Sequence, residues 1–522
     1  MKPIKLILLF LICQVSSFSQ VIKEWQFDSF DAYNYYPTTD IIHNGQFTFV
    51  CSQTYPSTDI AYILKLDASG NLVSQDTVHD FTFSILKTKR MVRDVYGSIY
   101  VCGSRLNASL EGKMILIKYD SLLNRQWLIT VNDSDSSYYR ARGLLYSESA
   151  NRINLIGEST DSTFINHIIT INYDSSGTEM WEYLDTLSYG LSLIDFDIDN
   201  SGNVFLGGYG VLDGFVTGED LMVIKINNDG TIGWFHRENG SNNDDDWMLD
   251  MAIDKENNIF SSGYFEDSVR YKLQKLDPAG NLVWTGDLNN IGLNKIAVDK
   301  AGSIYVAGFD TIPSHEFVVM KFDSSGNFIN SNFSDVPGYN GYFSDYLVDI
   351  QTNDSADVYV LNNVDSAGTM KWVVGKMDST LNLKWSFVYP DTSSINGRTS
   401  FICLVDEGFI VSGSQYNYLS VIRFHETFPT GISEITKKEN IIHWPNPTND
   451  KLNFITNEIV TGKIDFKLYD INSKIVFENT INVAGENTFF VKLPQISEGV
   501  YFYTAQIGSR KFMDKIIIAN QK

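Results

Sequence analysis

The chain has 522 residues, 43% of them hydrophobic and 13% aromatic, with a formal net charge of −23 at pH 7. A protein this acidic repels nucleic acid and anionic membrane surfaces, which excludes nucleic-acid recognition as a main role. Prolines are few for the length, and four cysteines provide no disulfide framework.

The first segment reads as an address. Lys2 and Lys5 flank the start of an apolar run from Ile4 to Cys13, and Ser17, Phe18 and Ser19 form a small-x-small site ahead of Gln20. This is the layout of a cleavable secretory signal over residues 1–19, too short and too early for a membrane anchor. A lipid anchor at Cys13 is disfavoured because Ile12 stands where a small residue is needed. No later segment is apolar enough to span a bilayer. Cleavage leaves Cys51, Cys102 and Cys403, an odd number; Cys51 and Cys102 align within their repeats and are expected as small buried hydrophobes rather than a bonded pair.

Next comes KEWQFDSF with Trp25, and then an array. Seven residues separate an acidic or polar position from a tryptophan at Asp120 and Trp127, Asp174 and Trp181, Asn227 and Trp234, Asp277 and Trp284, and Asp378 and Trp385. Ser74 and Asn330 replace the aromatic in two worn copies. A period of about 50 residues suits a four-stranded propeller blade. Within each unit, apolar alternation marks half-buried strands, and Asp, Asn, Gly and Ser mark the tight turns between them. In the unit from Lys295 the four strands read KIAVD, SIYVAG, FVVMKFD and NFIN.

The third strand recurs eight times, ending at Leu66, Tyr119, Tyr173, Ile226, Leu276, Phe322, Met377 and Phe424. The eighth copy, VIRFHETF, lacks its tryptophan strand, and the segment around Trp25 resembles the missing piece. The expected fold of residues 21–428 is therefore an all-β, eight-bladed propeller of four-stranded antiparallel blades, with the N-terminal strand as outermost member of the last blade.

Repetition assigns most marked residues to structure. The tryptophans are expected at equivalent buried places between blades. The lysines before the turn (Lys65, Lys118, Lys225, Lys275, Lys321 and Lys376, with Asn172 and Arg423 in the remaining copies) are expected to lay their stems on the strand and pair with a nearby carboxylate. Asp195, Asp197 and Asp199 resemble a calcium loop only superficially, since Phe196 and Ile198 intervene and Asn200 occupies the glycine place. Asp244, Asp245 and Asp246 in NGSNNDDDW are the densest acidic cluster and the candidate metal ligands. No cofactor is expected, and Ca2+ is the one metal the acidic loops leave open.

After Phe428 the composition changes. Residues 429–442, FPTGISEITKKEN and its edges, read as a linker. Residues 443–522 never show the repeat, and they carry nine Lys and Arg against eight Asp and Glu, so the excess acid lies ahead of them. Short alternating runs, FKLYDI, KIVFENTI, NTFFVKL and VYFYTAQI, suggest a small β-sandwich. The tail resembles the type A C-terminal sorting domain of the type IX (Por) secretion system of Bacteroidetes through Pro445, Asn446 and Pro447, then Leu468, Tyr469, Asp470 and Lys474, then Gly499, Tyr501 and Lys515. Ser473 departs from the glycine usual in that family. Gly499 is read as a turn residue and Tyr501 as core. The resemblance implies Sec export to the periplasm, engagement of the type IX machinery, and delivery to the cell surface or the medium.

Motifs for catalysis are absent: there is no H-E-x-x-H, no G-x-S-x-G, no phosphate loop and no paired metal-binding cysteines. The turn phrase DSSGTEMW is too widely spaced for a sialidase Asp-box, and the cysteine pair of the eight-bladed quinoprotein dehydrogenases is missing. The repeat halves resemble the SBBP type of propeller repeat, which implies no fixed activity. The expectation is a monomeric, surface-displayed or secreted binding or adhesion module for an extracellular glycan or protein. The alternative is a secreted polysaccharide hydrolase or lyase that uses loop carboxylates.

Overall fold

A computed structural model describes residues 20–29, 39–427 and 442–519, apart from 54–59, 79–84, 107–111, 132–137, 162, 164, 187–188, 213–217, 241–242, 267–269, 289–290, 311–316, 334–345, 367–368, 390–396, 416–417, 445–447, 449, 470–473 and 508–509. Two compact units emerge, one of them Gln20–Thr427 and the other containing the tail.

The larger unit is a propeller-like arrangement of four-stranded antiparallel sheets. Among the described residues these span 40–78, 85–130, 138–184, 189–238, 246–287, 291–333 and 346–389, plus an eighth built from Gly397–Val405, Gly408–Gln415, Tyr418–Thr427 and Gln20–Asp28. The second and third sheets are joined by a single pairing of Tyr138 with Gly112. Each sheet packs against its successor through its first strand, and the first strand of the eighth packs against Asp40–His43 of the first.

The turns explain why the strands end where they do. In DASGN, Asp67 Oδ1 accepts from the N–H groups of Ser69 and Asn71 at 2.9 and 2.8 Å, and Asn71 Nδ2 donates to Asp67 Oδ2 at 3.0 Å. The same side-chain cap recurs at Asp120, Asp199, Asp254, Asp277, Asp323 and Asp378. An Asx side chain here satisfies backbone donors that the ladder leaves over. All these turns lie at one end of the sheets. The connections at the other end differ in length from copy to copy, and they contain the undescribed stretches of this unit.

N-terminal Gln20–Asp28 pairs antiparallel with Tyr418–Thr427, Trp25 standing opposite Arg423 and Phe27 opposite Val421. It is the outer member of its sheet. Packing between sheets is apolar: Trp25, Phe27, Val50, Leu64, Ile410 and Val421, for instance, form one buried cluster across the first and eighth.

The tail differs in detail from two stacked sheets of short strands. Its hydrogen bonds form one five-stranded sheet, and the runs expected separately are joined into two long strands, Lys451–Tyr469 and Ile475–Lys492. The ladder between them is irregular from Ile455 to Thr461, and Phe454 and Phe466 of one strand meet with ring centroids 6.0 Å apart. One sheet thus folds over its own core of Leu452, Phe454, Phe466, Leu468, Tyr503 and Ile516.

Candidate functional site

Repeated residues account for the contacts between sheets. Trp181, Trp234 and Trp284 donate their indole N–H to turn carbonyls of the next sheet, Asn228 at 2.9, Pro278 at 3.0 and Ser324 at 3.5 Å. Each indole lies against the glycine of that turn: a Cβ on Gly280 would stand 2.5 Å from the Trp234 ring, and its φ of +84° disfavours other residues as well. Trp25 meets Gly70 in the same way. Contrary to the expectation of burial, Trp127, Trp181, Trp234 and Trp284 are only half-buried, because the outer strand leaves one ring edge toward solvent.

Ser74 and Asn330 keep the bond and lose the bulk. Ser74 Oγ donates to Leu122 O at 3.3 Å and Asn330 Nδ2 to Thr380 O at 2.7 Å. In just these two recipient turns the glycine is replaced by leucine, Leu123 at φ 70° and Leu381 at φ 64°, both buried. A left-handed leucine costs roughly 1–2 kcal/mol, and burying it returns about 1.5–3 kcal/mol. The leucine fills the space that a tryptophan occupies elsewhere.

The lysines do not pair with carboxylates as expected. Lys65, Lys118 and Lys321 each donate to a turn carbonyl of the next sheet, Ser121, Ser175 and Ser379, at 2.7 Å. Each also lies over a cross-strand ring, as Lys118 over Tyr100 at 5.3 Å. Two positions do meet a carboxylate: the eighth sheet has no such turn, so the Lys376 ammonium bonds Glu426 Oε2 at 2.6 Å and Asp357 Oδ2 at 3.1 Å, and Arg423 Nε pairs with Glu24 Oε2 at 2.8 Å.

A second, non-repeated set lies on the innermost strands. A bulge precedes Arg90, Gly143, Asp195, Asp250, Lys295, Asp349 and Phe401, and Asp40 opposes Cys51 as Arg90 opposes Cys102. These eight positions therefore correspond around the unit. Three of the aspartates bond the next sheet: Asp40 Oδ2 accepts from Met91 N at 2.6 Å, Asp195 Oδ2 from Met251 N at 3.3 Å, and Asp250 Oδ2 from Ile296 N at 2.7 Å. Lys295 Nζ donates to Asp250 Oδ1 at 2.7 Å. Burial pushes Asp40 and Asp197 up to about 6 and raises Asp195, Asp250 and Asp349; Arg90 opposes it at Asp40, and Lys295 at the last three. Sequence reasoning missed this set because its residue types do not repeat, and the bulge that recurs before them leaves no signature in the alternation.

The predicted candidates fare differently. Asp244 is exposed, Asp245 half-buried and Asp246 fully buried. Asp245 Oδ1 accepts from Glu219 N at 2.9 Å and Asp246 Oδ2 from Gly240 N, so these two carboxylates hold loops in place. Among the described residues no group of three or more His, Cys, Asp or Glu converges as a metal site. Cys51 and Cys102 are buried and free, the Cys51 thiol pushed up to about 12 by burial.

In the tail, Leu468 is fully buried and Tyr501 nearly so, its hydroxyl donating to Ser497 O at 2.9 Å. Gly499 corrects the turn reading: it begins the strand Gly499–Ile507 opposite Ile518, and a Cβ there would meet only Tyr501 at 3.4 Å. Tyr469 pairs with Phe502, Lys474 is exposed, and Lys515 stands opposite Phe502. Pro445, Asn446, Pro447, Asp470 and Ser473 lie outside the described residues.

No curated protein sequence matches the chain. Solved structures similar to the chain include the Dos1 propeller (11% identity, TM-score 0.48, covering 78% of this chain and 95% of that one). Another is the β-propeller domain of the Trilobed protease from Pyrococcus furiosus (11% identity, TM-score 0.42, 69% and 100%). A third is puromycin hydrolase (9% identity, TM-score 0.42), of which this chain spans 58% of the length while 73% of this chain is covered. No activity passes from them to this protein. No helix among the described residues is long and apolar enough to cross a membrane. Residues 443–519 match the family model of the secretion system C-terminal sorting domain, so the chain carries a sorting tail that implies contact with the secretion machinery and export to the cell surface or extracellular space.

Proposed function

We propose that the protein is a non-catalytic binding or adhesion module for an extracellular glycan or protein, displayed or released as a monomer. In this reading residues 1–19 are removed on Sec export, residues 21–428 form a closed eight-bladed propeller, 429–442 are a linker, and 443–522 act as a sandwich-like type IX signal. The observation that carries it is the sorting-domain match on a chain whose remaining residues are an array of sheets. The repeated side chains are taken up by packing, which leaves the end with unequal connections to meet a partner. Deleting 443–522 is expected to strand the propeller in the periplasm; surface or culture-fluid protein from that deletion contradicts the export reading.

A second reading, a polysaccharide hydrolase or lyase, draws on the innermost carboxylates, since Asp197 held near 6 suits a general acid. Incubating the mature chain with a glycan array and a panel of polysaccharides separates the two: retention without new reducing ends fits a binder, and product release fits the enzyme.

A further inference from the structure

Trp247, Tyr264 and Tyr271 are cross-strand neighbours at the end of the fifth sheet that carries the unequal connections. Trp247 and Tyr264 stack with centroids 5.7 Å apart and planes at 17°, and Tyr271 follows at 5.1 Å and 57°. All three are half-buried. Among the described residues, Trp247 and Tyr264 join none of the hydrophobic clusters between sheets, and Tyr271 only borders one.

In no other sheet are these three positions all aromatic. The counterparts are Lys87, Ser104 and Met114 in the second sheet, and Arg140, Glu158 and Ile168 in the third. Every tryptophan of the repeat packs on the following sheet; Trp247 stands outside that scheme. Its indole is also fixed from the fourth sheet, with Nε1 donating to Glu219 Oε2 at 2.8 Å, and Asp245 Oδ1 holding Glu219 N at 2.9 Å. A large aromatic surface held rigid outside the core loses little entropy on binding.

We propose that this ladder is a carbohydrate subsite for a neutral polysaccharide. Aromatic rings match the C–H faces of a pyranose, while tyrosine hydroxyls and the Glu219 and Asp245 carboxylates match its hydroxyl groups. Glu219, Asp245 and the adjoining Glu266, whose N–H reaches Asp245 O at 3.3 Å, set a negative rim that disfavours uronates and sulfated sugars. The inference rests on the binding-module reading and narrows it to one ligand class and one place.

The test is affinity electrophoresis of the mature full chain in gels containing laminarin, galactomannan, xylan or alginate, alongside Trp247→Ala, Tyr264→Ala and, as a control in the same sheet, Val283→Ala. At least one neutral polymer is expected to retard the wild type and Val283→Ala, alginate to retard neither, and both aromatic variants to bind about tenfold or more weakly with unaltered melting. If Trp247→Ala misfolds, Tyr264→Ala decides. Wild-type retardation by a neutral polymer that both variants retain overturns this subsite and leaves the binding module standing. No neutral polymer retarding the wild type, equal retardation by alginate, or capture of a protein ligand alone overturns the carbohydrate assignment. Release of reducing ends overturns the binding reading itself.

Discussion

At the residue scale, the exchange of tryptophan with glycine for small polar residue with leucine is a volume rule between neighbouring sheets. Leu381→Ala is expected to destabilise by about 2–4 kcal/mol, since the side chain is 2% exposed in a full cluster. Ser74→Trp alone would overpack against Leu123 and cost about 1–3 kcal/mol, whereas Ser74→Trp with Leu123→Gly restores the common pair. A double-mutant cycle by urea unfolding reads the coupling, and additive effects would refute the rule. The tryptophans were legible in the sequence because they repeat at fixed spacing. Leu123 and Leu381 were not, because a leucine at φ near +65° contradicts turn chemistry and makes sense only beside Ser74 and Asn330.

At the element scale, the strand Gln20–Asp28 substitutes for a missing hairpin. Its Trp25 makes with Gly70 the contact that Trp234 makes with Gly280. The same seam explains Lys376, which is 1% exposed and meets Glu426 instead of a turn carbonyl. Lys376→Met takes the ammonium away from the buried Glu426, which keeps only the Tyr359 hydroxyl, while Asp357 keeps Lys384; the change should cost about 3–5 kcal/mol in chemical denaturation. A loss below about 1 kcal/mol would contradict this role for Lys376. The alternation of apolar residues gave the strands of each unit, but the bulges on the innermost strands left no mark in composition. In the tail the runs were legible and their joining was not, since KIVFENTI and NTFFVKL show no sign that one bent strand contains both.

At the scale of the whole molecule, two sets of aspartates pull stability in opposite directions with pH. Turn aspartates such as Asp67, Asp120 and Asp277 are held below the usual carboxylate value by their turn hydrogen bonds, so their contribution is present above the unfolded value near 4 and lost as pH falls. The innermost aspartates are raised by burial. Their folded form holds protons that the unfolded chain has released, so their contribution is present below about pH 4 and lost as pH rises through about 6. For Asp40, 7% exposed, the rise from the ordinary carboxylate value to about 6 corresponds to something on the order of 2–3 kcal/mol. Melting temperature should therefore fall between about pH 5 and about pH 8, and Asp40→Asn should flatten the slope; a rise over that range contradicts the assignment. The all-β repeat and the sorting tail were readable from sequence, whereas the innermost charges and the aromatic ladder were not, because each exists in one copy and only the fold assembles it. The account depends most on the two ends of the larger unit, Gln20–Asp28 and Tyr418–Thr427, sharing one sheet. Ile22, exposed, stands opposite His425, and antiparallel partners are close enough for a disulfide. Oxidising the Ile22→Cys, His425→Cys variant should give an intramolecular bond in high yield and a higher melting temperature, with Cys51, Cys102 and Cys403 unreacted; a reduced pair, or cross-links only between molecules, would contradict closure.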